Sequence, residues 1–152
     1  MASRSKILII DDEVGPRESL KMILKPLHEV ETVDDGVKAL EIIQKKEVDF
    51  VTLDLKMPRS DGVEVLKKIK ELKPETEVLI ITGYGSFKSA VDGLRYGACD
   101  YLIKPFNISD VINIINKALN RKRKKEKLWN LLDEICHTNG IQEQLEEMRQ
   151  YY

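Results

Sequence analysis

Short apolar runs alternate along this chain with stretches whose apolar side chains recur at helical spacing. Lys6–Ile10, Glu29–Val33, Asp49–Leu53, Glu77–Ile81 and Tyr101–Ile103 read as strands, being brief, apolar and bounded by polar or turn-forming residues. Ile7-Leu8-Ile9-Ile10 and Val78-Leu79-Ile80-Ile81 do not alternate with polar residues, which predicts interior strands covered by helices on both faces. Between the strands, Leu20, Ile23, Leu24 and Leu27 predict a helix, with Pro16 suited to its first turn. Val37, Leu40 and Ile43 predict a second, Val63, Leu66 and Ile69 a third, and Phe87, Ala90, Val91 and Leu94 a fourth. Gly36, Gly62 and Gly97 punctuate the helix ends. Ser109 is the expected N-cap of a fifth helix carrying Val111, Ile112, Ile115 and Leu119, which runs without a breaker into Arg121–Lys125.

Strands alternating with helices predict an α/β fold, a doubly wound five-stranded parallel sheet. In such sheets ligands bind outside the carboxyl ends of the strands, where the winding reverses. At 152 residues the chain is expected to hold one domain, or one small domain plus an appendage. Apolar residues at 42% can build a core, and charged residues at 34% exclude a membrane protein. The N-terminus leads into only four consecutive apolar residues, too few for an export signal or a span. Cys99 and Cys136 form neither a CxxC pair nor a disulfide framework, so the expected location is the cytoplasm. A formal charge of −1 argues against a protein that coats nucleic acid or membrane.

The chemistry concentrates where the strands end. Strand one ends in Asp11-Asp12-Glu13, strand three in Asp54, strand four in Thr82-Gly83 and strand five in Lys104-Pro105; strand two ends in nothing comparable. Any one of these has a bland reading as a turn, a cap or a solvated lysine. Their common position on one rim does not. Clustered carboxylates repel and call for a cation, and hard oxygen ligands suit Mg²⁺, expected at Asp11 and Asp12. Asp54 is then either a third ligand or a nucleophile that accepts a phosphoryl group. The Lys104 ammonium and the Thr82 hydroxyl could each contact phosphoryl oxygens. His28 and His137 are isolated and read as structural or surface residues.

Asp11-Asp12-Glu13, Leu53-Asp54-Leu55-Lys56-Met57-Pro58 with Asp61-Gly62, Ile81-Thr82-Gly83, and Asp100-Tyr101-Leu102-Ile103-Lys104-Pro105-Phe106 together resemble the receiver domain of two-component response regulators, over about residues 5–120. The resemblance implies the flavodoxin-like strand order 2-1-3-4-5. It implies Asp54 as phosphoacceptor, and Asp11, Asp12, Asp54 and the Lys56 backbone carbonyl as Mg²⁺ ligands. Thr82 and Lys104 become the phosphoryl-sensing pair, and Tyr101 the aromatic switch residue. The implied partner is a sensor histidine kinase or phosphotransfer protein. The implied output face comprises the helix from Phe87 to Tyr96, the strand through Tyr101 and the helix from Ser109. The wording Ile81-Thr82-Gly83-Tyr84-Gly85 is similar to receivers of nitrogen-regulation-type transcriptional activators.

Three competitors share parts of this pattern. An aspartyl-phosphate hydrolase of the haloacid dehalogenase type needs a second acid two residues after the nucleophile, and that position holds Lys56. A flavin-binding electron carrier needs a hydroxyl- and amide-rich phosphate site, whereas this rim is acidic. A non-phosphorylated interaction module would not need the complete residue set. The expectation is therefore a phosphoacceptor switch that assists its own phosphorylation and slow dephosphorylation, not a turnover enzyme.

Beyond residue 120 the reading rests on pattern alone, as a helical tail or linker over 121–152. Residues 121–127 carry a net +5 and residues 128–152 a net −4. The basic run lacks interleaved aromatics and a recognition motif, so it reads as a solvated helix face, and direct nucleic-acid binding is not expected. Leu128, Leu131, Leu132 and Ile135 form an apolar stripe, Asn139-Gly140 stops the helix, and Ile141, Leu145 and Met148 begin another. Either the tail packs on itself or on a second copy, or the chain is the front piece of something longer; the stripe favours a homodimer, through this tail or through the 87–120 face.

Overall fold

The computed structural model describes residues 4–83 and 85–152. Tyr84, part of the segment behind the narrower resemblance, lies outside the described residues, as do Met1, Ala2 and Ser3. Five strands form the main sheet: β1 Lys6–Ile10, β2 Glu29–Val33, β3 Phe50–Leu53, β4 Glu77–Thr82 and β5 Asp100–Ile103. All pairings are parallel, in the order β2-β1-β3-β4-β5, as expected. The helices are α1 Val14–Leu24, α2 Gly36–Lys45, α3 Gly62–Leu72, α4 Phe87–Arg95, α5 Ile108–Asn139 and α6 Gln142–Arg149. The sequence reading omits a two-residue antiparallel ribbon, Lys56–Met57 against Ser60–Asp61, between β3 and α3.

Strand alternation sorts the core of the unit ending at Leu119 into two layers. Ile7, Ile9, Phe50, Leu79 and Ile81 pack with Leu20 and Leu24 of α1 and Val111, Ile115 and Ala118 of α5. Leu8, Ile10, Val51, Leu53, Val78 and Ile80 point the other way, onto Ala39 and Ile43 of α2 and Val65, Leu66 and Ile69 of α3. The central strands are thus buried on both faces, which is why their sequences do not alternate.

Strand three starts at Phe50, and the Asp49 carboxylate just before it accepts the Lys6 amide at 2.8 Å. Leu27 lies beyond α1, and both it and Val37 are exposed. Gly36 and Gly62 open helices, and Gly97 follows α4 at φ 101°, a backbone region that favours glycine. The stripe expected to bury α4 does not, since Phe87 is 87% exposed and Val91 and Leu94 are also exposed. The helix instead approaches the sheet through Gly93, where a Cβ would overlap the Ile80 side chain. The cap of α5 is Asn107, whose side-chain oxygen accepts from the Ser109 amide at 3.0 Å and the Ser109 hydroxyl at 2.7 Å.

The second unit, Asn120–Tyr152, is a helical hairpin. Gly140, at φ 69°, accommodates the left-handed residue that ends α5. The Ile141 amide donates to the Cys136 carbonyl at 3.0 Å and the Gly140 amide to the His137 carbonyl at 3.4 Å, a Schellman closure. Cys136 and Leu145 are buried here, and the Arg149 guanidinium lies 5.5 Å from the centre of the Trp129 ring. Among the described residues no helix is long and apolar enough to cross a membrane.

Candidate functional site

Because β2 lies on one side of β1 and β3 on the other, the winding reverses between β1 and β3. The residue after each of those strands is a buried aspartate. Asp11 is still held by the sheet, its amide donating to the Val33 carbonyl at 3.1 Å. Its Oδ1 accepts from the Glu13 amide at 2.9 Å, and the Arg17 guanidinium donates to its carbonyl at 2.8 Å. Asp54 donates its amide to the Ile10 carbonyl at 3.0 Å, while its Oδ1 accepts from the Lys56 amide at 3.1 Å. One oxygen of each carboxylate is therefore occupied by the backbone of its own turn, and the other is presented to the rim.

Lys104 reaches those second oxygens from across the sheet. It follows β5, its amide donates to the Thr82 carbonyl at 2.9 Å, and the Lys104–Pro105 peptide is cis. Its ammonium lies 2.7 Å from Asp11 Oδ2, 3.0 Å from Asp54 Oδ2 and 3.1 Å from Glu13 Oε1. Burial works to strip the proton from this lysine, but the bonds to Asp11, Asp54 and Glu13 outweigh it and hold the ammonium well above its ordinary range. Burial also raises the Asp11 carboxyl above its ordinary value, against the lowering pull of Lys104 and the Glu13 amide.

Asp11, Asp12, Glu13 and Asp54 each offer one carboxylate oxygen, and these oxygens lie within 4.8 Å of one another. This is an all-oxygen donor set with excess negative charge, the chemistry that fits a hard divalent ion. Thr82, the last residue of β4, is fully buried. The Tyr101 hydroxyl sits 3.0 Å from the hydroxyl of Ser89 in the first turn of α4, and the ring packs against the core layer of Ile80. Lys56 keeps its side chain exposed, so no second acid stands two residues after Asp54.

The sequence marks the strand ends but gives no role to three contributors. Glu13 is the third carboxylate on Lys104; it occupies the N-cap position of α1 without capping it. Its place in the Asp-Asp-Glu triplet was the available signal. Arg17 and Ser89 enter through hydrogen bonds to the Asp11 carbonyl and the Tyr101 hydroxyl, and nothing in their spacing marks them. Beside Asp12 a cavity of about 330 Å³ is lined by Asp34, Asp35, Lys38, Met57, Pro58 and Arg59, opening the site to solvent on the β2 side.

Residues 7–116 match the family model of the response regulator receiver domain. The chain belongs to this family. Over 121 residues the receiver is 37% identical to the transcriptional regulatory protein ZraR of Klebsiella oxytoca, covering 79% of this chain and 27% of that protein. Over 119 residues it is 37% identical to the response regulator MprA of Mycobacterium leprae, covering 78% of this chain and 52% of that one. The crystal structure of a CheY-like receiver domain protein from Methanospirillum hungatei superposes with a TM-score of 0.78 at 32% identity, covering 81% of this chain and 99% of that chain. The chain thus spans about a quarter of ZraR and about half of MprA. It is a response regulator receiver domain of two-component systems, and neither the hydrolase nor the electron-carrier reading is favoured.

Proposed function

We propose that this receiver is a phosphorylation switch in which Asp54 accepts the phosphoryl group of a phosphohistidine on a sensor kinase or phosphotransfer protein. The observation that carries the reading is the shared Lys104 ammonium, which ties the buried Asp54 and Asp11 carboxylates into one pocket at the strand ends. Asp54 Oδ2 forms the new P–O bond as the donor's P–N bond breaks, and the imidazole departs with the bonding pair. Lys104 neutralises charge on the transferring oxygens, and the Thr82 hydroxyl donates to one of them. Asp11, Asp12, Asp54 and the Lys56 carbonyl would hold Mg²⁺, which supplies further neutralisation of that charge. Self-catalysed hydrolysis then resets the switch slowly, without turnover of a separate substrate.

A phosphoryl group adds about −1.5 to −2 charge. It draws Thr82 toward Asp54 while Lys104 stays paired there, and Tyr101, in register with Ile80 on the sheet face that Thr82 shares, relays the change to α4. The face of α4, β5 and α5 carries the output. The receiver spans residues 5–120, 121–152 forms a tail or linker, and we place the protein in the cytoplasm with its kinase. Incubation with acetyl phosphate and Mg²⁺, followed by intact mass measurement, tests the reading. The native chain gains one phosphoryl group; Asp54→Asn gains none, and chelation of the metal abolishes labelling. Equal labelling of Asp54→Asn overturns the assignment.

A further inference from the structure

The hairpin of the second unit leaves one face of its long helix uncovered. Leu128, Leu131 and Ile135 recur at i, i+3 and i+7, the spacing of a coiled-coil seam, and remain 55%, 54% and 46% exposed. Helix α6 cannot cover them, because it is committed to the neighbouring stripe. Leu145 is buried, as is Cys136, and Arg149 reaches Trp129 and Asp133, the latter at 4.0 Å. Trp129, Leu132, Asp133 and Cys136 lie on the adjoining side of the helix, to one flank of the open seam. The seam is therefore an apolar stripe with no occupant among the described residues.

Charge along the helix selects an occupant and its direction. We infer that the open seam binds the same seam of a second copy of this chain, with the two α5 helices antiparallel. Lys127 and Glu134 are both exposed and one heptad apart, on the flank away from α6. When two such helices cross antiparallel about Leu131, Lys127 of each copy meets Glu134 of the other, so symmetry makes the ion pair twice. Lys124, in line with Leu131 and Thr138, then lies toward the C-terminal end of the second copy's helix, where the dipole favours a cation. A parallel, in-register pairing instead stacks Lys124 on Lys124 of the second copy within the seam and sets Lys127 beside Leu132, with no acid to meet. This inference stands apart from the phosphoryl reading, because it uses only residues of the second unit and no group of the phosphoryl site.

Sedimentation velocity of the full chain over a concentration series tests it, with circular dichroism to show that each variant keeps its helix content. The native chain is expected to dimerise reversibly, and Leu131→Asp to remain monomeric. Lys127→Glu and Glu134→Lys each set like charges together twice and raise the dissociation constant by about tenfold. Exchanging both residues in one chain restores native association, because antiparallel pairing regenerates both ion pairs. A native chain that stays monomeric throughout overturns the inference. So does a dimer that the single reversals leave unchanged, or an exchanged chain that stays as weak as either single variant.

Discussion

Lys104 is one ammonium held against three carboxylates. Its raised proton affinity in the fold fixes the sign of a pH effect. A lysine whose folded value lies above its unfolded value, about 10.4, contributes stability that is fully present below that pH and is lost as pH rises through the folded value. In metal-free protein the native chain is therefore more stable than Lys104→Met at neutral pH, and the gap narrows above about pH 10.4. Urea titrations of both proteins across that range measure it, and a gap independent of pH would refute the coupling. Gly62 makes a steric argument at the same scale. It opens α3, donates its amide to the Leu55 carbonyl at 3.0 Å, and a Cβ there would overlap the Leu55 backbone. Backbone one residue from Asp54 cannot yield as a side chain end can. Gly62→Ala is expected to cost about 1–3 kcal/mol, the range for overpacked sites, and to slow labelling of Asp54; chemical denaturation and the acetyl phosphate assay read the two effects.

Among the elements, α4 and α5 depart furthest from their sequence patterns. The apolar residues of α4 satisfy the helical period, yet they point outward because Gly93 is the residue that meets the sheet. Periodicity reports that a helix has an apolar stripe; which stripe faces the core depends on how closely the backbone approaches. The start of α5 shows the same limit on a smaller scale. Ser109 has the right chemistry for a cap, but Asn107 stands two residues earlier and captures both its amide and its hydroxyl. Removing the capping oxygen from Asn107 should lower stability by about 1 kcal/mol, the usual cost of a lost N-cap, and by more than Ser109→Ala does. Thermal or urea unfolding of Asn107→Ala and Ser109→Ala decides between the two caps. Helix α5 supplies Val111, Ile115 and Ala118 to one core layer, so loosening its first turn acts on the receiver itself.

Across the whole molecule, the division after Leu119 separates a core-bearing receiver from a helical hairpin. Both core layers close without any residue beyond Leu119. A chain ending at Asn120 is therefore expected to unfold in one cooperative transition and to label at Asp54 as the full chain does. Denaturation followed by two probes, alongside the intact-mass assay, checks both halves of this expectation; loss of either would show that the tail is part of the receiver's fold.

What the sequence determined by itself follows from local rules: the five strands, the burial of their uninterrupted apolar runs, and the residues at each carboxyl end. Parallel order then brings those ends to one rim, so the rim positions of Asp11, Asp54, Thr82 and Lys104 were legible in the sequence. Tertiary structure alone decided that Lys104 takes Glu13 as a third partner, that Ser89 meets Tyr101, that α4 turns its large side chains outward, and that α6 covers one side of α5 and leaves the Leu131 seam open. The reason is physical: period and turn chemistry act between near neighbours in the chain, whereas these contacts join residues distant in sequence or depend on close packing of backbone.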